Sequence, residues 1–287
     1  MKVKQNQKLK DYTTIGIGGS VPVVYLPETE SELSELLRTL TKEKRSYRIL
    51  GNGSNILADD SGFSEALIVT KHMERIFEVD GERVTADAGY PVAQLAYQTA
   101  SRSLSGLEFA VGIPGSIGGL VRMNAGAHGQ TMSEVVHSVS MILPDGHTVT
   151  ANNTELQFTY RSSAIPRDAV ITKVILQLKT GDSRKIHERI RENNEWRTST
   201  QPIREKSAGC IFKNPGDSSA GKLIEDSGLK GFSIGGAMVS DVHGNFIVNK
   251  GNATFADALK LIAHIKEVVH EKQGVSLEEE VIVWRNN

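Results

Sequence analysis

The chain has 287 residues, enough to bury a full core and to hold two domains. Lys and Arg total 33 against 34 Asp and Glu, so it lacks the basic surface of a general nucleic-acid binder. No apolar run approaches the ~20 residues of a membrane span, the first ten residues carry no hydrophobic signal core, and one cysteine makes neither an internal disulfide nor a cysteine zinc cluster. These bounds predict a cytoplasmic protein with no metal centre.

Val23–Leu26, just after Pro22, reads as a strand. Thr29 followed by Glu32 has capping-box spacing, and Leu33, Leu36, Leu37 and Leu40 line one face of the helix it opens. A strand at 47–50 completes a β–α–β unit. That strand breaks into Gly51-Asn52-Gly53-Ser54-Asn55, residue types that tolerate left-handed backbone and bond to it. No Lys-Ser or Lys-Thr follows, and G-x-G-x-x-G is incomplete, so the segment is neither a Walker loop nor a Rossmann fingerprint. Strand patterns recur at 65–70, 76–80 and 83–88, and a helix begins at Pro91, a favoured first position, and runs to about Ser103.

Residues 106–129 hold seven glycines, yet Ile113, Ile117, Leu120, Val121 and Met123 run through them, so the segment is packed. Glycine in a packed segment marks left-handed backbone or a close approach. An isolated Gly-Gly pair is a tight turn, but this density beside Pro114 and Asn124 predicts a nest of N–H groups for phosphate or diphosphate. Two non-standard glycine segments suggest one extended ligand with a diphosphate in its middle, and FAD fits that description.

Strands at 135–143 and 147–151 are joined by the turn Pro144-Asp145-Gly146. Tyr160-Arg161 has two readings, a surface cation packed on a ring or a fork for a carboxylate. Val170–Leu178 is the strongest strand in the middle of the chain. Near Thr180 the character changes to a charged helix at 184–197 and a glycine-punctuated second half. There Cys210 follows Gly209 with Lys206, Lys213 and Asn214 nearby. A lone cysteine is usually a small buried hydrophobe, but cationic neighbours make a thiol a usable proton donor or nucleophile. Thr254 caps an amphipathic helix that Gly274 stops, and 281–284 closes as a strand. Leu277-Glu278-Glu279-Glu280-Val281 reads as a solvated face, or as an alternation that turns one carboxylate inward.

Taken in order, Thr14–Gly19, Leu50–Asn55, Gly112–Gly119 with Asn124-Ala125-Gly126, Tyr160-Arg161, Ser207–Pro215, Ala220–Glu225, His243–Asn249 and Leu277–Val281 resemble the UDP-N-acetylenolpyruvoylglucosamine reductase family along nearly the whole chain. The resemblance implies an α+β protein: an FAD-binding domain of vanillyl-alcohol-oxidase type over 1–180, in two lobes split near 70, and a smaller substrate domain over 181–287 whose last strand returns to the active site. It implies non-covalent FAD on Gly51, Asn52, Gly53, Ser54, Asn55, Gly112, Ile113, Pro114, Gly115, Ser116, Gly119, Asn124 and Gly126. NADPH is the implied co-substrate and a UDP-sugar the small-molecule partner, bound by Tyr160, Lys213, Asn214, His243 and Asn245.

The implied reaction, in peptidoglycan precursor synthesis, adds hydride to C3 and a proton to C2 of an enolpyruvyl ether. Arg161 stabilises charge on the adjacent carboxylate, Glu280 completes the site, and Cys210 donates the proton where the family usually has serine. The short spacing from Arg161 to Ser207 resembles the branch lacking an extra substrate-covering loop. Two rivals remain: another oxidoreductase on the same flavin scaffold, which turnover of the enolpyruvyl substrate would separate, and a nucleotide-sensing module, which predicts binding without flavin bleaching by NADPH.

Overall fold

The structure, a computed structural model describing residues 1–73 and 76–286, is α+β. Its six α-helices among the described residues are α1 (Glu30–Lys42), α2 (Val92–Ala100), α3 (Ile117–Arg122), α4 (Ser183–Thr200), α5 (Ala220–Asp226) and α6 (Phe255–Gln273). Helix α1 begins where its cap predicts: the Thr29 side chain accepts from the Glu32 N–H, and Leu33, Leu36, Leu37 and Leu40 are buried. Pro91 is the cap of α2 rather than its first residue, and the helix ends at Ala100, just before a left-handed Ser103.

The chain forms two compact units. The first comprises Met1–Gln5, Val23–Asn52 and Glu65–Arg197. In it Val24 pairs in parallel with Leu67, and Tyr47–Leu50 with Ala66–Val69, so Ala66–Val69 lies between the two strands of the expected β–α–β unit. An antiparallel sheet follows in the order 148–152, 136–142, 170–177, 83–87, 77–80. Its buried face, with Val84, Ala86, Val139, Val174 and Leu176, packs with Leu95, Phe109, Ile117, Leu120 and Val121 in one core.

The second unit comprises Asn6–Pro22, Gly53–Ser64 and Thr198–Asn287. Its antiparallel sheet runs 207–210, 246–249, 237–239, 233–234. Helix α6 is closed at its start by a reciprocal Thr254–Asp257 box and at its end by Gly274 at φ +69°, as its sequence predicts. The last strand, Ile282–Trp284, pairs in parallel with Ile56–Ala58.

These units depart from a single cut at 180. Ile15, Ile17 and Leu57 are buried in the same core as Ile211, Phe212, Ile262 and Val281, whereas Ile186 and Ile190 of α4 belong to the core of the first unit. Apolar burial, not chain order, draws the boundary. Helices α3 and α5 were not legible in the sequence, since each is short and glycine-bearing.

Candidate active site

The glycines divide by what lies beside them. In the second unit, a Cβ on Gly53 would stand 2.1 Å from the Tyr12 carbonyl oxygen. In the first, Cβ atoms on Gly112, Gly118 and Gly126 would meet Arg197 Cδ at 2.2 Å, Ala88 Cβ at 2.7 Å and the Gln130 carbonyl oxygen at 2.5 Å. Gly115 is glycine for its φ of +150°. All these are explained by the chain's own packing.

Gly51 and Gly119 are not. Neither has positive φ, and a Cβ on either would find only Ser116 Oγ, at 3.3 and 3.7 Å. The two glycine segments therefore meet at Ser116 within the first unit. Ser116 stands at the cap of α3 but makes no capping bond, and the Gly119 N–H has no backbone acceptor among the described residues. A hydroxyl, a free N–H and two missing side chains suit a cofactor that approaches the backbone closely. Ile113 bonds through its N–H to the Ala110 carbonyl, which leaves Pro114 and Gly115 as the turn into α3.

Asn124 and Gly126, expected at the cofactor, have duties inside the protein. Asn124 is buried at φ +41°; its Nδ2 donates to the Thr159 carbonyl at 2.9 Å and its Oδ1 accepts from the Ser133 N–H at 2.9 Å. Thr159 and Ser162 exchange backbone hydrogen bonds of 3.0 and 3.2 Å, so Tyr160-Arg161 is the tip of a two-residue turn. Arg161 takes φ +57° there, a position that favours Gly or Asn. Its guanidinium lies 5.0 Å from the centre of the exposed Tyr160 ring and donates to the Gly126 carbonyl at 3.3 Å. The first sequence reading of this pair is met, since the cation packs on the ring, and a strained backbone constrains where the side chain starts.

In the second unit, residues 211–213 run antiparallel to 278–281. Lys213 N–H donates to the Glu278 carbonyl at 2.8 Å and Glu280 N–H to the Ile211 carbonyl at 2.7 Å, with Phe212 bridged to Glu279. Cys210 and Glu280 are thereby brought onto neighbouring segments. Gly209 at φ +75° sits in a register break between Ser207, paired with Val248, and Cys210, paired with Phe246, the kind of irregularity that can re-aim a side chain. Cys210 is half-buried. The Asn55 side chain donates to the Glu280 carbonyl at 3.2 Å. Thr14, through its Oγ, donates to the Ser207 carbonyl at 2.6 Å and to that of Gly53 at 3.3 Å. Asn52 and Ser54 flank Gly53, Asn52 ending one unit's segment and Ser54 lying in the next.

Of the expected substrate residues here, Asn245 is buried with both amide ends on Phe212: Oδ1 accepts from its N–H at 2.9 Å and Nδ2 donates to its carbonyl at 2.8 Å. It holds the strand beside Cys210 in place. His243 Nδ1 accepts from the Asn245 N–H at 3.1 Å, and its ring lies against Gly221 of α5, where a Cβ would be 2.8 Å from Cε1. Asn214 Oδ1 accepts from Ala220 N–H at 3.0 Å at the start of α5, and Lys213 pairs with Glu278. Beside Glu280, burial raises the Glu279 pKa, but the Lys266 hydrogen bond, a backbone hydrogen bond and the charges of Lys266 and Arg285 together hold that carboxyl below its ordinary value.

Comparisons with known proteins identify the family. A family model described as the C-terminal domain of UDP-N-acetylenolpyruvoylglucosamine reductase matches residues 201–284, and one described as an FAD binding domain matches 21–152. The chain is 39% identical to the UDP-N-acetylenolpyruvoylglucosamine reductase of Bacillus subtilis (strain 168), over 100% of this chain and 95% of the relative. Against the enzyme of that name from Caldanaerobacter subterraneus it is 39% identical, over 98% and 93%. The crystal structure of UDP-N-acetylenolpyruvylglucosamine reductase from Thermus caldophilus superposes with a TM-score of 0.85 at 38% identity, over 99% of this chain and 100% of that one. With an FAD-binding domain, a matching C-terminal domain and relatives aligned end to end, the chain belongs to the UDP-N-acetylenolpyruvoylglucosamine reductase family.

Proposed function

We propose that this chain performs the family's reduction, from the enolpyruvyl ether of UDP-N-acetylglucosamine to UDP-N-acetylmuramate, in the cytoplasm with NADPH as reductant, and that Arg161, Cys210 and Glu280 carry the chemistry. FAD, when bound and reduced by NADPH, would supply the hydride that adds to C3 of the enolpyruvyl group. Gly51, Ser116 and Gly119, with the N–H groups around them, are the residues that would hold it. Arg161 offers a fixed cation to the substrate carboxylate, where charge builds as C3 is reduced. The Cys210 thiol protonates C2, and Glu280 completes the polar surroundings of that carboxylate. Asn245 and Asn55 act by holding the backbones of Phe212 and Glu280, while His243, Lys213, Asn214 and Tyr160 are assigned to the UDP-sugar.

The observation that carries this reading is the ladder of 211–213 against 278–281, which sets the segment of Cys210, the one cysteine of the chain, alongside the segment of Glu280. The test is replacement of Cys210. Cys210→Ala should lose nearly all product formation, and Cys210→Ser should retain substantial turnover, because a hydroxyl can still deliver a proton at that place. A thiol reagent should inactivate the native enzyme, with bound substrate protecting it. Near-normal turnover by Cys210→Ala would remove the proton-donor assignment.

A further inference from the structure

We infer that Arg122 is a positioning residue for Arg161. The inference rests on the role given to Arg161 above, and it comes from bonds confined to the first unit. Arg122 is the last residue of α3. Its guanidinium bonds to backbone carbonyls. Nη1 donates to the Pro166 carbonyl at 3.1 Å, with Ile165 at 3.5 Å, and Nη2 donates to the Ala169 carbonyl at 2.6 Å. Its own carbonyl accepts from Ser163 Oγ at 2.8 Å. One residue thus fastens both ends of the segment 163–169, which leaves the turn immediately after Arg161.

The other leg of that turn is fastened by Asn124, two residues further on, through the Thr159 carbonyl. Both legs of a strained two-residue turn are therefore tied to the exit of α3, the helix that Ser116 precedes as its cap and whose first turn carries Gly119. A left-handed arginine persists only where its surroundings over-determine it. Burial weighs against the Arg122 charge, and the nearby Asp168 carboxylate supports it. A lysine could not reproduce the fork: it is a point donor, whereas the guanidinium addresses three carbonyls at set angles.

The experiment uses the FAD-loaded enzyme and compares wild type, Arg122→Met, Arg122→Lys, Arg161→Ala and the double variant Arg122→Met/Arg161→Ala. Arg122→Met should slow reoxidation of the reduced enzyme by the enolpyruvyl substrate about 100-fold, the scale of a misplaced catalytic group. Flavin reduction by NADPH should stay within about twofold of wild type. Arg122→Lys should lie between, which keeps the test open if the methionine variant folds poorly. Hydrogen exchange should quicken in peptides covering 159–163 and stay unchanged in 136–142. The double variant should be no slower than Arg161→Ala alone, because a residue acting through another adds nothing once that other is gone. The proposal is overturned if Arg122→Met reacts like wild type, if exchange at 159–163 is unaltered, or if the methionine change slows Arg161→Ala by the same factor as it slows wild type. If Arg161→Ala itself leaves the enolpyruvyl half-reaction intact, the role of Arg161 fails, and the exchange result still decides whether Arg122 braces the turn.

Discussion

Replacing Gly119 by alanine should move apoprotein stability and FAD affinity in opposite directions. The methyl group would meet only Ser116 Oγ, at an ordinary contact distance of 3.7 Å, and Gly119 lies in a helix without positive φ. Alanine is favoured over glycine in helices by up to ~1 kcal/mol, so the apoprotein should gain roughly 0.5 kcal/mol at this first-turn position. That corresponds to a rise of roughly 1–2 °C in Tm. The same methyl group would stand in the space assigned to the cofactor and push a close-packed ligand off the backbone. A loss of about tenfold in FAD affinity, or ~1.4 kcal/mol, is expected.

Gly118→Ala is the control. Its methyl would lie 2.7 Å from Ala88 Cβ and 3.1 Å from the Ala88 carbonyl oxygen, inside the ordinary contact distance of about 3.5–4.0 Å. It should cost the apoprotein about 1–3 kcal/mol by overpacking. The assay is thermal melting of flavin-stripped protein together with titration of FAD by fluorescence quenching. An unchanged FAD affinity for Gly119→Ala would refute the assignment of that space to the cofactor. A fall of several degrees in its apoprotein melting point would refute the claim that the space is open.

Other outcomes follow from the same geometry. Arg161→Ala and Glu280→Ala should keep the FAD spectrum and NADPH half-reaction near wild type while reoxidation by the enolpyruvyl substrate slows at least 100-fold, the size of a lost electrostatic stabiliser; loss of FAD by either variant would count against its role. Thr254→Ala removes the hydroxyl that accepts from Asp257 N–H at 3.1 Å, and should cost about 1 kcal/mol, read as a lower melting midpoint. Burial, and then the charge of Arg197, hold the His128 pKa below its ordinary value. The unfolded chain therefore binds that proton more readily, so the stability His128 contributes is complete above about pH 6.5 and declines as pH falls. His128→Gln should make melting temperature less sensitive to pH between roughly 6.5 and 5; an unchanged slope would show that this histidine does not matter to acid stability.

Much of this protein was written locally. Thr29 with four leucines at helical spacing gave α1, Thr254 with Gly274 gave α6, and the apolar runs at 47–50, 83–88 and 170–178 gave strands, because capping and periodicity act over a few residues. The motifs carrying Arg161, Cys210 and Glu280, and through them the family, were equally visible. What tertiary structure decided was which residues share a core and which glycines have open space beside them. Ile56–Ala58, buried throughout, pairs with the partly exposed Ile282–Trp284 across nearly the whole chain, and no local pattern names so distant a partner. Gly53 and Gly119 look alike in sequence, yet one is glycine because the Tyr12 backbone crowds it, while the other has only Ser116 Oγ nearby. Asn124 and Arg122, read as a cofactor contact and not read at all, hold the Arg161 turn from both sides. A side chain's duty is set by the carbonyls that surround it after folding, and those come from segments the chain order keeps apart.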